Sequence, residues 1–345
     1  MFGDRSADGL LSIFPLSDLD PAGPAQLSFL YKHTRINMSD QHVHVAIIGA
    51  GTIGLSFAAL HLMKDPTCTV TIYDTRTDLQ QYVQDKLPGY LVDADQQACV
   101  QRLAFASDID EAVKSATIVQ EQGPENLEFK RSLWPEIEKH VPKDALLWSS
   151  TSGIAASQQA EGMRDQRRLC VVHPFNPPHI MPLLEVVPSP QTSQDVIDRT
   201  LEYWRGRGRA PVVLRKECPG FVANRLAYAL FREACSLVAQ GVASVEDIDE
   251  IVQASMGPRW SVAGPFKSYH AGGGEGGLKS FMDKIGGSIR ESWEASEHDV
   301  KQYDISMGQA WQKDICQRTE DAYGVINTAE RDTKTRKVLA AVGRP

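Results

Sequence analysis

The chain has 345 residues, 42% of them hydrophobic and 23% charged, with a formal net charge of -8. That length suffices for two domains with their own cores, and no apolar run approaches membrane-spanning length. The acidic balance argues against a nucleic-acid partner, and six cysteines without a Cys-x-x-Cys pair read as reduced thiols, not as a disulfide framework or metal site.

Residues 1–40 carry Pro15, Pro21, Gly23 and Pro24 with several aspartates and show neither a helical nor a strand period. They read as a disordered extension, with translation from Met38 as a second reading. They lack the basic region and apolar core of a secretory signal, their acidic residues disfavour a mitochondrial presequence, and the C-terminal Val342-Gly343-Arg344-Pro345 carries no peroxisomal address. Cytoplasm is the default location.

Residues 41–212 alternate strand and helix patterns. Val43–Ile48 is a β-branched run of the kind that forms a buried parallel strand, and it leads into Gly49-Ala50-Gly51-Thr52-Ile53-Gly54 and an apolar helix from Leu55. Gly49 makes the tight turn, Gly51 lets a pyrophosphate approach the backbone, and Gly54 lets helix and strand pack closely. The helix N-terminus, where Thr52 and Ile53 lie, supplies unpaired N–H donors to the phosphates. The next strand, Thr69–Tyr73, ends at Asp74, twenty residues after Gly54, where a carboxylate accepts from the adenine ribose hydroxyls and favours NAD over NADP. Arg76 complicates that preference, because an arginine there can accommodate a 2′-phosphate.

Further βα units at 103–114, 116–140 and 145–173 imply a doubly wound parallel sheet of Rossmann type with ligands at the carboxyl ends of its strands. Glu121, Ser149–Ser152 and His173 fall at such ends. Glu125 and Lys130 open the intervening helix, as a surface pair or as cofactor-side residues. In Val171–Val187 two apolar runs flank a turn stiffened by Pro174, Pro177 and Pro178. His173 therefore has a fixed direction, as a proton-transferring group needs. By its strand alternation alone Glu185 belongs on a solvent face.

Residues 213–345 read as an all-α domain. Phe221–Gln240 is apolar over most of its circumference and so reads as buried between partners. Ser244-Val245-Glu246-Asp247 has the form of a capping box opening a helix that stops at Gly257, and helices follow around 278–293, 300–323 and 327–342. The cluster Gly272-Gly273-Gly274 with Gly276-Gly277 reads as a flexible loop.

The ordered set IGAGTIG, EQGPENLEFK, SSTSGI, HPFNPP with LLEVVP, and PGFVANRL followed by GVASVEDID resembles the L-3-hydroxyacyl-CoA dehydrogenase superfamily over about residues 43–320. Within it the chain looks most like the lambda-crystallin/L-gulonate 3-dehydrogenase branch. The resemblance implies an active site of Ser152, His173, Glu185 and Asn224, with Gly49, Gly51, Thr52, Ile53, Gly54, Asp74, Glu125 and Lys130 on the cofactor. Oxidising a secondary alcohol removes the hydroxyl proton as hydride leaves carbon, which suits a histidine base with a carboxylate on its far nitrogen and neutral donors on the substrate oxygen.

The resemblance also implies a homodimer formed by the helical domain. In Pro258-Arg259-Trp260 it implies a guanidinium that pairs with the carboxylate of a small free hydroxy acid, where acyl-CoA-specific members tend to have Pro-Met. The reading is NAD-dependent oxidation of a 3-hydroxyl, L-gulonate to 3-dehydro-L-gulonate first. The alternatives are a 3-hydroxyacyl-CoA dehydrogenase and, in another class, a noncatalytic crystallin-like structural protein.

Overall fold

The structure, a computed structural model, describes residues 42–92, 94–300 and 308–344. The extension expected over residues 1–40 lies outside them. Eight strands form one sheet in the order β3-β2-β1-β4-β5-β6-β7-β8. They are β1 (His44–Ile48), β2 (Thr69–Tyr73), β3 (Leu103–Phe105), β4 (Ile118–Glu121), β5 (Leu146–Ser149), β6 (Leu169–Pro174), β7 (Leu183–Pro188) and β8 (Ala210–Val213). The central strands read as near-continuous Val/Ile/Leu runs because helices cover both faces and leave Val45, Ile47, Val119 and Leu147 without exposure.

The helices within this half are α1 (Thr52–Lys64), α2 (Leu79–Lys86), α3 (Gln96–Val100), α4 (Ile109–Val113), α5 (Leu127–His140), α6 (Ala156–Gln159) and α7 (Gln194–Gly206). Asp108, Asn126 and Ser193 cap α4, α5 and α7, each accepting a backbone N–H of the first turn. Strands β1 to β6 pair in parallel, as the βα alternation requires, and the order reverses between β1 and β4 to open a crevice at their carboxyl ends. The sheet is not parallel throughout. β7 returns antiparallel to β6 across the proline turn and sets His173 directly opposite Glu185; β8 then runs parallel to β7.

From residue 223 the chain is helical: α8 (Ala223–Ala239), α9 (Val245–Ile251), α10 (Gly257–Val262), α11 (Pro265–Gly272), α12 (Gly277–Val300), α13 (Ala310–Tyr323) and α14 (Thr328–Ala341). Ser244 and Asp247 form the expected capping box at α9. Two expectations are corrected here. The helix does not stop at Gly257, because a π-helical turn over Val252–Met256 carries α9 into α10. The glycine cluster is not a loose loop: a Cβ on Gly273 would fall 1.7 Å from the Gly277 carbonyl oxygen, and one on Gly277 would strike the His270 ring at 2.4 Å. Within the single chain, α8 leaves Leu226, Tyr228 and Phe231 exposed. No helix among the described residues is long and apolar enough to cross a membrane.

Candidate active site

The glycine turn sits at the β1/β4 crevice. Gly49 adopts φ +105°, which L side chains rarely reach, and its N–H donates to Tyr73 O at 2.8 Å. A Cβ on Gly54 would lie 2.0 Å from Gly49 O, so helix and turn close on each other only with glycine at both places. Gly51 has nothing within 4 Å of where its Cβ would be, which leaves room beside the N-terminus of α1, formed by Thr52 and Ile53. The residues present thus fit a dinucleotide: a cradle without side chains, facing free N–H groups.

Asp74, at the end of β2, accepts from Ala50 N at 2.7 Å and from Arg76 N at 3.0 Å, which holds the carboxylate beside the turn. Arg76 is turned to Asp78, at 3.0 and 2.9 Å from its two oxygens, and lies 3.7 Å over the Tyr82 ring. Its guanidinium is thereby occupied.

On the other side of the crevice, Glu121 at the end of β4 is buried with Lys130, whose Nζ donates to both carboxylate oxygens at 2.7 and 2.8 Å. Ser149 Oγ and Gly123 N also donate to Glu121, so this ion pair fixes the ends of β4 and β5. Glu125 collects the following loop: its Oε1 accepts from Thr151 Oγ1 at 2.5 Å, Ser152 N at 3.0 Å, Ser152 Oγ at 3.2 Å and Gly153 N at 3.1 Å. In the structure both residues organise the strand ends and the Ser152 loop. Sequence reading placed Glu121 only as a strand-end residue, because its buried partner stands nine positions away on the next helix.

His173 Nδ1 lies 2.8 Å from Glu185 Oε2, both side chains being almost fully buried. A carboxylate only accepts, so Nδ1 carries the proton and Nε2 is the free nitrogen. Glu185 Oε1 accepts from Val222 N at 2.9 Å and Ala223 N at 3.0 Å, at the start of α8. Burial alone would push the Glu185 carboxyl up, but the His173 ring and these amides outweigh it and hold it below its usual value. The solvent-face placement that alternation suggests for Glu185 is therefore corrected: the sheet continues past it to β8, and the helical half supplies its donors.

The turn that delivers those amides is unusual. Gly220 and Phe221 adopt φ +71° and +51°, Phe221 being the one non-glycine residue with positive φ among the described residues. Its buried ring packs 5.2 Å from the imidazole of His173, holding it from the side. No periodicity in the sequence signalled this role, although Pro219-Gly220 marked the turn. Asn224 follows directly, half-buried in the first turn of α8. A Cβ on Gly153 would come within 3.9 Å of Gly220 N, so the Ser152 loop adjoins the same turn. Ser152, His173, Glu185 and Asn224 thus belong to one contiguous set of segments. Arg259 stands exposed on α10, its guanidinium without a hydrogen-bond or ion-pair partner among the described residues, and it bonds to none of the four.

A dinucleotide cradle and a buried histidine–carboxylate pair on the same edge of one sheet are what hydride transfer from a CH–OH group to NAD requires, and the chain is an NAD-dependent oxidoreductase. The model of the 3-hydroxyacyl-CoA dehydrogenase NAD-binding domain matches residues 44–218, and that of the 3-hydroxyacyl-CoA dehydrogenase C-terminal domain matches residues 220–309. The chain therefore belongs to the 3-hydroxyacyl-CoA dehydrogenase family. It is 33% identical over 312 residues to a 3-hydroxyacyl-CoA dehydrogenase of Gibberella moniliformis, covering 86% of this chain and 94% of the relative. It is 35% identical over 307 residues to an L-carnitine dehydrogenase of Streptomyces griseus, covering 87% and 90%. Among solved structures it is similar to 5-formyl-3-hydroxy-2-methylpyridine 4-carboxylic acid 5-dehydrogenase, an NAD+-dependent dismutase, with a TM-score of 0.66, 27% identity and coverage of 87% and 97%.

Proposed function

We propose that this enzyme oxidises the 3-hydroxyl of a small free hydroxy acid, with L-gulonate as leading substrate and 3-dehydro-L-gulonate as product, in the lambda-crystallin/L-gulonate 3-dehydrogenase branch. The observation that carries the chemistry is the His173–Glu185 pair, 2.8 Å apart and buried at the edge where the dinucleotide cradle opens. Bound NAD supplies the hydride acceptor. His173 Nε2 takes the hydroxyl proton, Glu185 stabilises the imidazolium that results, and Ser152 and Asn224 hold the substrate oxygen as its charge changes. Glu125 positions Ser152 through four hydrogen bonds to one oxygen.

The free-acid reading is supported by the exposed guanidinium of Arg259, which has no hydrogen-bond or ion-pair partner among the described residues, and by relatives named L-carnitine dehydrogenase. The Gibberella moniliformis relative's name favours a second reading, a 3-hydroxyacyl-CoA thioester. Residues 213–345 form the substrate and dimerisation half in this proposal, and a second copy of the chain in the cytoplasm covers exposed Leu226, Tyr228, Phe231 and Phe266. A panel of L-gulonate, L-carnitine, 3-hydroxybutyrate and 3-hydroxybutyryl-CoA, read as NADH formation, tests the substrate. The free acids turn over with the higher kcat/KM; preference for the thioester contradicts the branch.

A further inference from the structure

The segment from Leu214 to Phe221 joins the sheet to the helical half. Its start is tied to β7, where Leu214 N donates to Val186 O at 2.9 Å. Leu214 and Phe221 are both buried in one small apolar cluster with Val171, Val187 and Ala156. Val171 and Val187 stand opposite each other on β6 and β7, as His173 and Glu185 do, and strand alternation puts both pairs on one face. The segment is therefore anchored at both ends to the face that carries the histidine–carboxylate pair.

Between these apolar anchors Glu217 holds the segment by polar contacts. Its Oε1 accepts from Ser157 N at 2.9 Å and its Oε2 from Ser157 Oγ at 2.7 Å. Ser157 lies in the first turn of α6, whose N-cap, Ala155, makes no side-chain cap bond. Glu217 thus supplies, from a segment distant in sequence, the acceptor that an N-cap side chain would give. The far end of α6 is fixed separately, because Gln159 Oε1 accepts from Trp134 Nε1 of α5 at 3.1 Å. Upstream, α6 continues into the Ser152 loop, which Glu125 gathers at its other end. Downstream of Glu217, the turn folds back on α8: a Cβ on Gly220 would come within 3.9 Å of Asn224 Cβ. The Glu217–Ser157 contact therefore links the loop of Ser152 to the turn that places Phe221, Asn224 and the two amides on Glu185.

We infer that Glu217 is a positioning residue for hydride transfer: through Ser157 it fixes the Ser152 loop against the turn before α8, so that Ser152 and Asn224 meet the substrate oxygen together. This rests on the roles proposed above for Ser152 and Asn224. The glycine cradle and Asp74 lie at the ends of β1 and β2, so the effect falls on the chemical step and not on dinucleotide binding. Wild type, Glu217→Ala, Glu217→Gln, Ser157→Ala and the Glu217→Ala/Ser157→Ala double variant are compared by stopped-flow NADH formation and by NADH titration. The substrate, held at saturation, is whichever of L-gulonate, L-carnitine, 3-hydroxybutyrate and 3-hydroxybutyryl-CoA gives wild type the highest kcat/KM. The rate is expressed per NADH site found by titration, so a variant that is merely less folded shows fewer sites and the same rate.

Glu217→Ala lowers the rate per site about ten- to a hundred-fold and leaves the Kd for NADH within about two-fold of wild type. Glu217→Gln, which keeps an acceptor for Ser157, retains most of the rate. Ser157→Ala loses about three- to ten-fold, and the double variant is no slower than Glu217→Ala, because the two residues act through one contact. Ser152→Ala and Asn224→Ala are measured alongside. If both transfer hydride at the wild-type rate, the reading of the site falls and the role of Glu217 with it. If they slow transfer while Glu217→Ala keeps the wild-type rate per site, the inference about Glu217 alone is overturned, and the contact serves stability only. Losses that multiply in the double variant overturn it as well. Should Glu217→Ala not fold, Ser157→Ala decides, and a wild-type rate per site in that variant refutes the inference.

Discussion

Glu185 binds His173 Nδ1 with one carboxylate oxygen at 2.8 Å, and with the other it accepts from the backbone N–H groups of Val222 and Ala223. One side chain therefore orients the His173 imidazole and ties the sheet to the first turn of α8. This arrangement gives Glu185 a pH signature. Its carboxyl is held below the ordinary carboxylate value in the folded protein, burial being outweighed by His173 and the two amides. A depressed carboxyl contributes stability that is full above its unfolded pKa and is lost as pH falls through the folded one. Denaturant melts of wild type and Glu185→Gln should show the largest stability gap at neutral pH, closing in acid. A gap that stays constant with pH would sink this account of Glu185.

Lys130 and Glu121 are both buried, and each is the other's only counter-charge in reach of a salt bridge among the described residues. Removing one leaves the other charged and unpaired in the interior. Lys130→Met is therefore expected to destabilise by about 3–5 kcal/mol in denaturant melts, far more than loss of a surface pair such as Arg76–Asp78. A change within the range of surface pairs would mean that water reaches Glu121.

Asp74→Ala should weaken NADH about ten- to a hundred-fold, through loss of charge-assisted hydrogen bonds to the ribose, while affecting NADPH much less. Arg76 is engaged with Asp78 and Tyr82. Equal losses for both cofactors, measured by fluorescence titration, would remove Asp74 from ribose recognition.

Arg259→Met separates the two substrate readings. It should raise KM for free hydroxy acids about ten-fold or more and leave turnover of a 3-hydroxyacyl-CoA nearly unaffected. Parallel effects on both substrate classes would place Arg259 outside substrate recognition.

What could be read from the sequence divides along physical lines. The glycine turn, α5 and the capping box at α9 were legible because each is encoded within a few residues whose spacing has one structural meaning. Glu185 was misplaced by pattern alone, because a period-2 run cannot tell whether another strand and another helix will cover its outer face. The same limit hid the pairing of Lys130 with Glu121 across two elements, and the packing of Phe221 against His173, which joins residues far apart in sequence. The glycine cluster at 272–277 misled for a related reason: composition records the absence of side chains, and only packing shows that the backbones use that space.

The central claim is that His173 takes the hydroxyl proton as hydride moves to NAD. Stopped-flow measurement of NADH formation by His173→Gln under saturating substrate, beside equilibrium titration of the same variant with NADH, tests it most directly. The predicted result is a rate of hydride transfer lower by about two to four orders of magnitude with NADH affinity unchanged. A variant that transfers hydride at the wild-type rate would contradict it.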